Sequence, residues 1–181
     1  MHFAEALHEW HEFFFLFGTA GATLVALLFV AVSLGTGFLN AARADATRTY
    51  FSPVVIHFSA VFIVSAVALV PGHSASYFAA LMGITAVVGL IVSGWATYKM
   101  LTNNWSQLLE DRLAYGLLPA AGYAAMCVAS CMIYAEKTSA LDVLAGALFA
   151  LLIVNIRNAW DLTLEMVRRH SEPEPPRKKR R

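Results

Sequence analysis

The sequence predicts an all-α integral membrane protein: a bundle of five transmembrane helices, with the N-terminus outside and the C-terminus in the cytoplasm. Of the 181 residues, 59% are hydrophobic and only 14% are charged, against about 25% charged in soluble domains. The apolar runs are continuous, whereas the strands of a membrane β-barrel would alternate apolar and polar residues. The basic residues, finally, gather on one side of the predicted membrane.

The first twelve residues, MHFAEALHEWHE, are rich in His and Glu and form an amphipathic N-terminal segment, 1–12. They contain no Lys or Arg and so lack the basic start of a signal peptide. The uncharged run that follows, Phe13 to Phe38, is long enough to span a membrane. We expect it to be the first helix of a transmembrane domain that covers residues 13–165.

The next three spans follow from charges and prolines. Arg43, Asp45 and Arg48 indicate a loop before the second span, which runs from Tyr50 to Val70 with Pro53 in its first turn. Pro71-Gly72 ends it. The third span is Tyr77 to Tyr98, the polar stretch 99–112 is a connector, and the fourth span, 113–134, should be kinked at Pro119.

The fifth helix becomes polar before it is long enough to cross. Ser139-x-x-Asp142 is typical of a capping box at its start. From Val143 to Ile156 no residue is charged, but 14 residues reach only about 21 Å, against a hydrocarbon core of about 30 Å. Either Asp142 or Arg157 with its neighbours must therefore lie at lipid depth.

Charge counting gives the threading. Twelve of the thirteen Lys and Arg residues lie in the first and third loops or on the C-terminal side, and Lys137 alone lies on the other. By the positive-inside rule we expect a multi-pass membrane protein with its N-terminus outside and its C-terminus in the cytoplasm. The Pro-rich tail, 166–181, is predicted to be disordered, and its last five residues should bind anionic lipid headgroups rather than nucleic acid; they are Arg177, Lys178, Lys179, Arg180 and Arg181.

Small residues predict close helix packing. Gly18-x-x-x-Ala22 is a pair of the small-xxx-small type. Such pairs join helices within a chain as well as between chains, so a homo-oligomer and a complex with another membrane protein both stay open. Cys127 and Cys131 are four residues apart on one helix, which disfavours a disulfide, and we expect both to be small buried residues.

Polar residues on the fifth helix fall into one sector of the helical wheel, at about 100° per residue. Two interpretations of this sector stay open: Arg157 extends to the inner headgroups, or the sector forms a buried network. The sector contains Asn155, Arg157, Asn158, Asp161 and Glu165.

His57 is the one histidine expected inside a span. A hydrogen bond from His57 to Asn158 or Asp161 is compatible with the predicted depths. Intramembrane ionisable groups often form proton or ion sites, and such a site would combine Glu12 at the outer end with His57, Asn158, Arg157 and Asp161 at the inner end. The alternative is a neutral histidine that fixes helix register.

Metal and cofactor chemistry has little support in the sequence. Glu5, His8 and Glu12 share a face at ligand-like spacing, and His73 follows the neighbouring turn, but an ordinary interfacial segment contains the same residue types. The chain has no phosphate-binding glycine loop, H-E-x-x-H, C-x-x-C or nucleophile elbow. We therefore expect no metal, no cofactor and no enzymatic activity.

Several runs carry a resemblance. W-H-E-F at 10–13, P-x-x-x-H from Pro53 to His57 and I-R-N-A-W-D-L at 156–162 resemble an uncharacterised family of small bacterial five-span membrane proteins. The resemblance covers most of residues 10–165 and implies five helices, with no activity and no functional residue to transfer. Together these features predict a non-enzymatic packing or assembly component of a membrane complex, with a proton or ion conduit as the alternative.

Overall fold

The computed structural model describes residues 3–35, 44–102, 113–137 and 139–171, and all secondary structure in these ranges is helical. In these ranges four stretches are long and apolar enough to cross a membrane, His11–Ala31, Ala75–Lys99, Tyr115–Tyr134 and Ala140–Leu164, and a shorter apolar stretch covers Pro53–Ala68. The predicted all-α, membrane-type bundle is confirmed at this level.

The first two helices are almost continuous. α1 spans Phe3–Glu9 and α2 spans His11–Gly35. Trp10 between them keeps helical bonding, because its N–H donates to the Ala6 carbonyl at 3.3 Å and its own carbonyl accepts from the Phe14 N–H at 3.1 Å. Residue 12, the end of the predicted N-terminal segment, is the second residue of α2. The end of the predicted first span, 36–38, is outside the described residues.

α3 spans Ala44–Ala68, so the loop predicted at Asp45 and Arg48 is wrong: both positions are helical. Arg43 lies outside the described residues. The earlier start places Pro53 inside the helix, where it cannot donate a bond to the carbonyl of residue 49. The apolar stretch Pro53–Ala68 has 16 residues and measures about 24 Å.

The turn after α3 is confirmed at Pro71-Gly72, with Gly72 at a φ of +79°. Ser74 caps the next helix, since its hydroxyl accepts a bond from the Tyr77 N–H at 3.2 Å. α4 spans Ala75–Thr102, so the predicted connector is wrong for 99–102. Lys99 stays helical with its ammonium group 4.7 Å from the Trp95 ring centre, an arrangement that favours the cation beside an interfacial aromatic residue.

A widened helical turn precedes Pro119, the residue at which the sequence predicts a kink. Leu113–Leu117 is π-helical, and α5, spanning Leu118–Tyr134, begins immediately after it with Pro119 in its first turn. Proline fits there because the first residues of a helix have no N–H partner to lose.

α6 spans Ala140–Ser171. Ser139 directly precedes it and its carbonyl accepts from the Val143 N–H at 3.2 Å, which confirms the predicted start. The helix continues through 166–171, so the disorder expected from residue 166 is wrong for these six residues. The headgroup-binding residues Arg177, Lys178, Lys179, Arg180 and Arg181 lie outside the described residues.

Four helices form a closed group in which α3 packs on α4, α4 on α5, α5 on α6, and α6 on α3. α2 lies outside this group, mainly against α3 and with a smaller contact to α6. Between the helices lies a core of large side chains. Its fully buried members include Phe14, Phe58, Phe78, Met82, Tyr123, Met126, Ile133, Leu144, Leu148 and Leu151.

Glycines permit the closest approaches, as the small-residue pattern predicted. A Cβ atom added to Gly21 would lie 3.1 Å from the Phe58 carbonyl oxygen, and one added to Gly18 would lie 3.2 Å from the Ser65 Cβ atom. Ala22, the other member of the predicted pair, is exposed. On this side α2 therefore packs against α3 through Gly18 and Gly21.

Candidate functional site

The candidate site is the set of polar side chains buried among the apolar helices. Five polar residues of the described chain are at most 1% exposed: His57 and Ser65 on α3, Ser93 on α4, and Asn155 and Asn158 on α6. Burying polar groups in an apolar interior is unfavourable unless they are hydrogen-bonded. Their bonding therefore indicates what the site can do.

His57 bonds to Tyr123, which the sequence analysis did not identify. The histidine Nδ1 atom and the tyrosine hydroxyl oxygen are 2.7 Å apart, and both side chains are buried. Tyr123 belongs to α5, which lies diagonally opposite α3 in the four-helix group. The bond therefore crosses the centre of the bundle.

α4 makes room for this pair. Gly89 is buried directly beside the Tyr123 ring, and any side chain at position 89 would overlap that ring. A tyrosine in the middle of a span was the available signal, because a buried tyrosine hydroxyl usually finds a hydrogen-bond partner. The sequence alone did not indicate which of the helices would supply that partner.

The predicted bond from His57 to Asn158 or Asp161 is wrong. Nδ1 is paired with Tyr123, and the other ring nitrogen, Nε2, is buried with no hydrogen-bond partner. If the tyrosine O–H donates to Nδ1, then a neutral ring carries its proton on Nε2 and offers a second donor. His57 thus links two helices and retains one unused polar atom.

The polar sector predicted on α6 divides into an inner and an outer part. Asn155 and Asn158 are at most 1% exposed, whereas the side chains of Arg157 and Asp161 are 50% and 42% exposed. The Arg157 Nε atom lies 4.0 Å from the Asp161 Oδ2 atom. A buried network containing all these residues is therefore wrong. The side chain of Glu165 lies outside the described residues.

The inner part of the sector bonds mainly to backbone. The Asn155 amide nitrogen donates to the Leu151 carbonyl at 2.7 Å, while its Oδ1 atom is buried with no partner. Tyr115, in the π-helical turn, donates from its hydroxyl to the Asn158 carbonyl at 3.0 Å. The Tyr115 bond joins the π-helical turn to α6. The Asn155 bond stays within α6 and leaves the Asn155 Oδ1 atom as an unused acceptor.

The N-terminal candidates form no metal cluster. Glu5 and His8 lie on α1, and Glu12 lies in the first turn of α2, exposed. In the described ranges no three His, Cys, Asp or Glu side chains are grouped so that they could hold a metal ion. Glu12 has no described contact that joins it to His57.

His73 instead belongs to an aromatic cluster at the same end of the molecule. Its Nδ1–H donates to the Val70 carbonyl. Its ring packs edge-on against Phe3 at 6.2 Å and lies 5.5 Å from the Phe78 ring. This packing holds α1 against the turn between α3 and α4.

Both cysteines are free thiols. Cys127 is half-buried and Cys131 is exposed, so the expectation that both are buried is wrong for Cys131. The two lie on α5 and face outward to different extents, because α5 packs with its opposite side on α4 and α6.

Comparison of the chain with models of protein families, with curated proteins and with solved structures found no match.

Proposed function

We propose that the chain is a five-span protein of the bacterial inner membrane, with its N-terminus outside, that acts without catalysis as a packing or assembly component of a membrane complex. Four stretches of the described chain are long and apolar enough to span. α3 supplies the fifth span in this proposal, since its 25 residues measure about 37 Å in all.

The interior supports a packing role. The described hydrogen bonds that buried and half-buried side chains make to other helices join helices of the same chain. They are His57 to Tyr123, Tyr115 to the Asn158 carbonyl, and the half-buried Ser130 to the Ala79 carbonyl at 2.7 Å. Each bond fixes one helix against another. None of them points to a bound substrate or a reacting group.

The observation that carries the proposal is the outward position of the Arg157–Asp161 pair within the candidate span Ala140–Leu164. Ionisable residues in membrane spans almost always face protein or a water-filled cavity. On α6 the pair faces away from the protein's own core. A second protein surface placed there would remove the charges from lipid, which is what an assembly component requires.

The proposal is tested by the size of the native complex. We expect the chain, extracted from its membrane in a mild detergent, to elute in a species whose protein mass is at least twice the 19.7 kDa of one chain. Size-exclusion chromatography with light scattering measures that mass after subtraction of the detergent. A single species with the protein mass of one chain would contradict the proposal.

The second candidate function, a proton or ion conduit, is favoured by two of the buried polar atoms that have no hydrogen-bond partner. His57 and Asn155 lie on neighbouring helices, and Nε2 of one and Oδ1 of the other have no partner. His57 is eleven residues before the end of α3 and Asn155 is fifteen residues after the start of α6, which puts them about one helical turn apart in depth. Glu12, Arg157, Asn158 and Asp161 would then serve as the outer and inner ends of the path.

Vesicles that contain a pH-sensitive dye separate the two functions. A conduit requires a pH-driven proton flux that His57→Ala abolishes and that His11→Ala, a change at an exposed histidine of α2, leaves intact. The assembly component predicts a leak equal to that of empty vesicles for all three proteins.

A further inference from the structure

The outer face of α6 is a continuous exposed strip opposite the buried side of the helix. We define it by Gly146, Ala150, Ile153, Arg157, Trp160 and Leu164, which are all exposed. At about 100° per residue these positions lie within about 40° of the Gly146 direction, whereas buried Asn155 lies about 180° away. Their spacing alternates between four and three residues, the repeat with which one helix packs along another.

The charges on this face cannot all be in water. Asp142 and Arg157 are both exposed on α6, and their separation of fifteen helical steps measures about 22 Å, less than the hydrocarbon core of about 30 Å. If Asp142 lies at one membrane surface, then Arg157 lies inside the other. An exposed arginine at that depth is unfavourable unless an opposite charge or protein covers it.

Asp161 covers Arg157 only in part within one chain. The 4.0 Å separation is the outer limit of an ion pair, and both side chains remain more than 40% exposed. The pair is also in the less favourable order for a helix, with the basic residue before the acidic one. Much of the hydrogen-bonding capacity of the arginine is therefore directed away from its own helix.

The face is complementary to itself. In two copies with the same orientation in the membrane, related by a two-fold axis along the membrane normal, equal positions on α6 meet at equal depth. Arg157 and Asp161 are one turn apart, so each arginine side chain has to extend one turn along the helix to pair with the partner's Asp161. About two and three turns from Arg157, Ala150 and Gly146 are small enough to allow the backbones to approach.

Gly146 shows that this approach is open. A Cβ atom added to Gly146 would meet nothing within 4 Å, in contrast to the buried Gly89 and Gly122. The glycine is therefore not required for the packing of the chain itself. It is instead the position on this face at which an added side chain would most obstruct a second helix.

We propose that the outer face of α6 binds a second copy of this chain, with Arg157 of each copy paired to Asp161 of the other and with Gly146 and Ala150 at the close approach. This inference rests on the proposed assembly function and names its partner. The second copy is recognised by the opposite charges of Arg157 and Asp161, which lie one helical turn apart beside small and apolar residues.

The test is resonance energy transfer between full-length chains that carry donor or acceptor fluorescent proteins at the C-terminus. They are reconstituted into vesicles of phosphatidylethanolamine and phosphatidylglycerol over a range of protein-to-lipid ratios, which gives an association constant. We expect Gly146→Leu to lower this constant about tenfold, the size of a lost close helix contact. Gly94→Leu is the matched control, because Gly94 is also exposed with nothing within 4 Å of an added Cβ atom but lies on α4.

Charge reversal tests the proposed pairing directly. Arg157→Asp leaves two acidic residues on the face and Asp161→Arg leaves two basic ones, so each variant should lose self-association. A mixture of the two variants should recover energy transfer, since each now complements the other. A pair confined to one helix cannot produce this recovery, because each variant still has like charges within its own chain.

Three results would overturn the proposal: no energy transfer for the unmodified chain, equal effects of Gly146→Leu and Gly94→Leu, or energy transfer that persists in Arg157→Asp alone. If the unmodified chain does not self-associate but Gly146→Leu reduces the mass of the complex extracted from the native membrane, then a different protein covers the face. That result would contradict the second-copy proposal and would support the assembly function. If the extracted chain is also monomeric, both proposals fail.

Discussion

The two sides of α6 place polar residues in opposite surroundings although the residues are adjacent in sequence. Asn155 and Asn158 are at most 1% exposed and face the helices of the same chain, whereas Arg157 is half exposed and faces outward. The inner side bonds to backbone and leaves one amide oxygen unused, while the outer side carries full charges. The difference indicates that internal packing depends on neutral polar groups and that charge is kept for the surface.

The largest effect expected on the inner side comes from filling the space beside Tyr123. Gly89→Leu forces a side chain into the volume of the buried ring, and overpacking of this kind costs about 3 kcal/mol. Thermal unfolding in detergent, followed by circular dichroism, measures the loss. Gly94→Leu on the same helix enters open space and should unfold like the unmodified chain; equal losses for both would show that Tyr123 can move aside.

Removal of the Tyr123 hydroxyl should give the second largest loss of stability. Tyr123→Phe leaves both ring nitrogens of His57 without a bond and should lower the free energy of unfolding by about 1.5 kcal/mol. Tyr134→Phe is the control, because Tyr134 lies on the same helix and is exposed. In a double-mutant cycle with His57→Leu the two losses should not add. Additive losses would mean that the bond across the bundle contributes nothing.

For a substitution at Asn155 we expect the free energy of unfolding to change in the opposite direction. Asn155→Leu removes a buried oxygen that has no partner, so we expect the free energy of unfolding to rise by about 1 kcal/mol. Chemical unfolding in mixed micelles measures it. A loss of similar size would instead show that the Asn155 oxygen is bonded in the membrane, which would favour the hydrated path of a conduit.

The smallest effect should come from the outer side. Arg157→Leu removes an exposed ion pair between neighbouring turns, and such pairs stabilise a helix by about 0.5 kcal/mol or less. We expect the unfolding of the monomer in dilute detergent to be almost unchanged. A loss as large as that of Tyr123→Phe would mean that the pair is part of the fold, and the contrast between the two sides of α6 would disappear.

The order and type of the helices could be predicted from sequence, because long apolar runs leave few alternatives. Ser139 marked the start of α6 for a local reason, the typical capping position before an apolar run. The predicted start of α3 was wrong because Asp45 and Arg48 were interpreted as loop residues. Charged residues are compatible with a helix that continues beyond its apolar part. The same reason extends α4 to Thr102 and α6 to Ser171.

The candidate site was less predictable. That His57 lies in an apolar helix followed from the apolar run around it, but its partner lies 66 residues away on the diagonally opposite helix. The helical wheel grouped Asn155 with Arg157 and Asp161 because the assumed sector was almost half the circumference wide. Which edge of such a sector is buried depends on where α3 and α5 pack against α6, and the sequence of α6 does not contain that information.

The wide turn at Leu113–Leu117 determines the direction in which Tyr115 points. One additional residue in a turn rotates the upstream chain by about 100° relative to the downstream helix. Tyr115 reaches the Asn158 carbonyl from within this turn. Deleting a single residue there would restore ordinary winding and turn the Tyr115 phenol away from its acceptor, so the length of this short segment sets the angle at which Tyr115 meets α6.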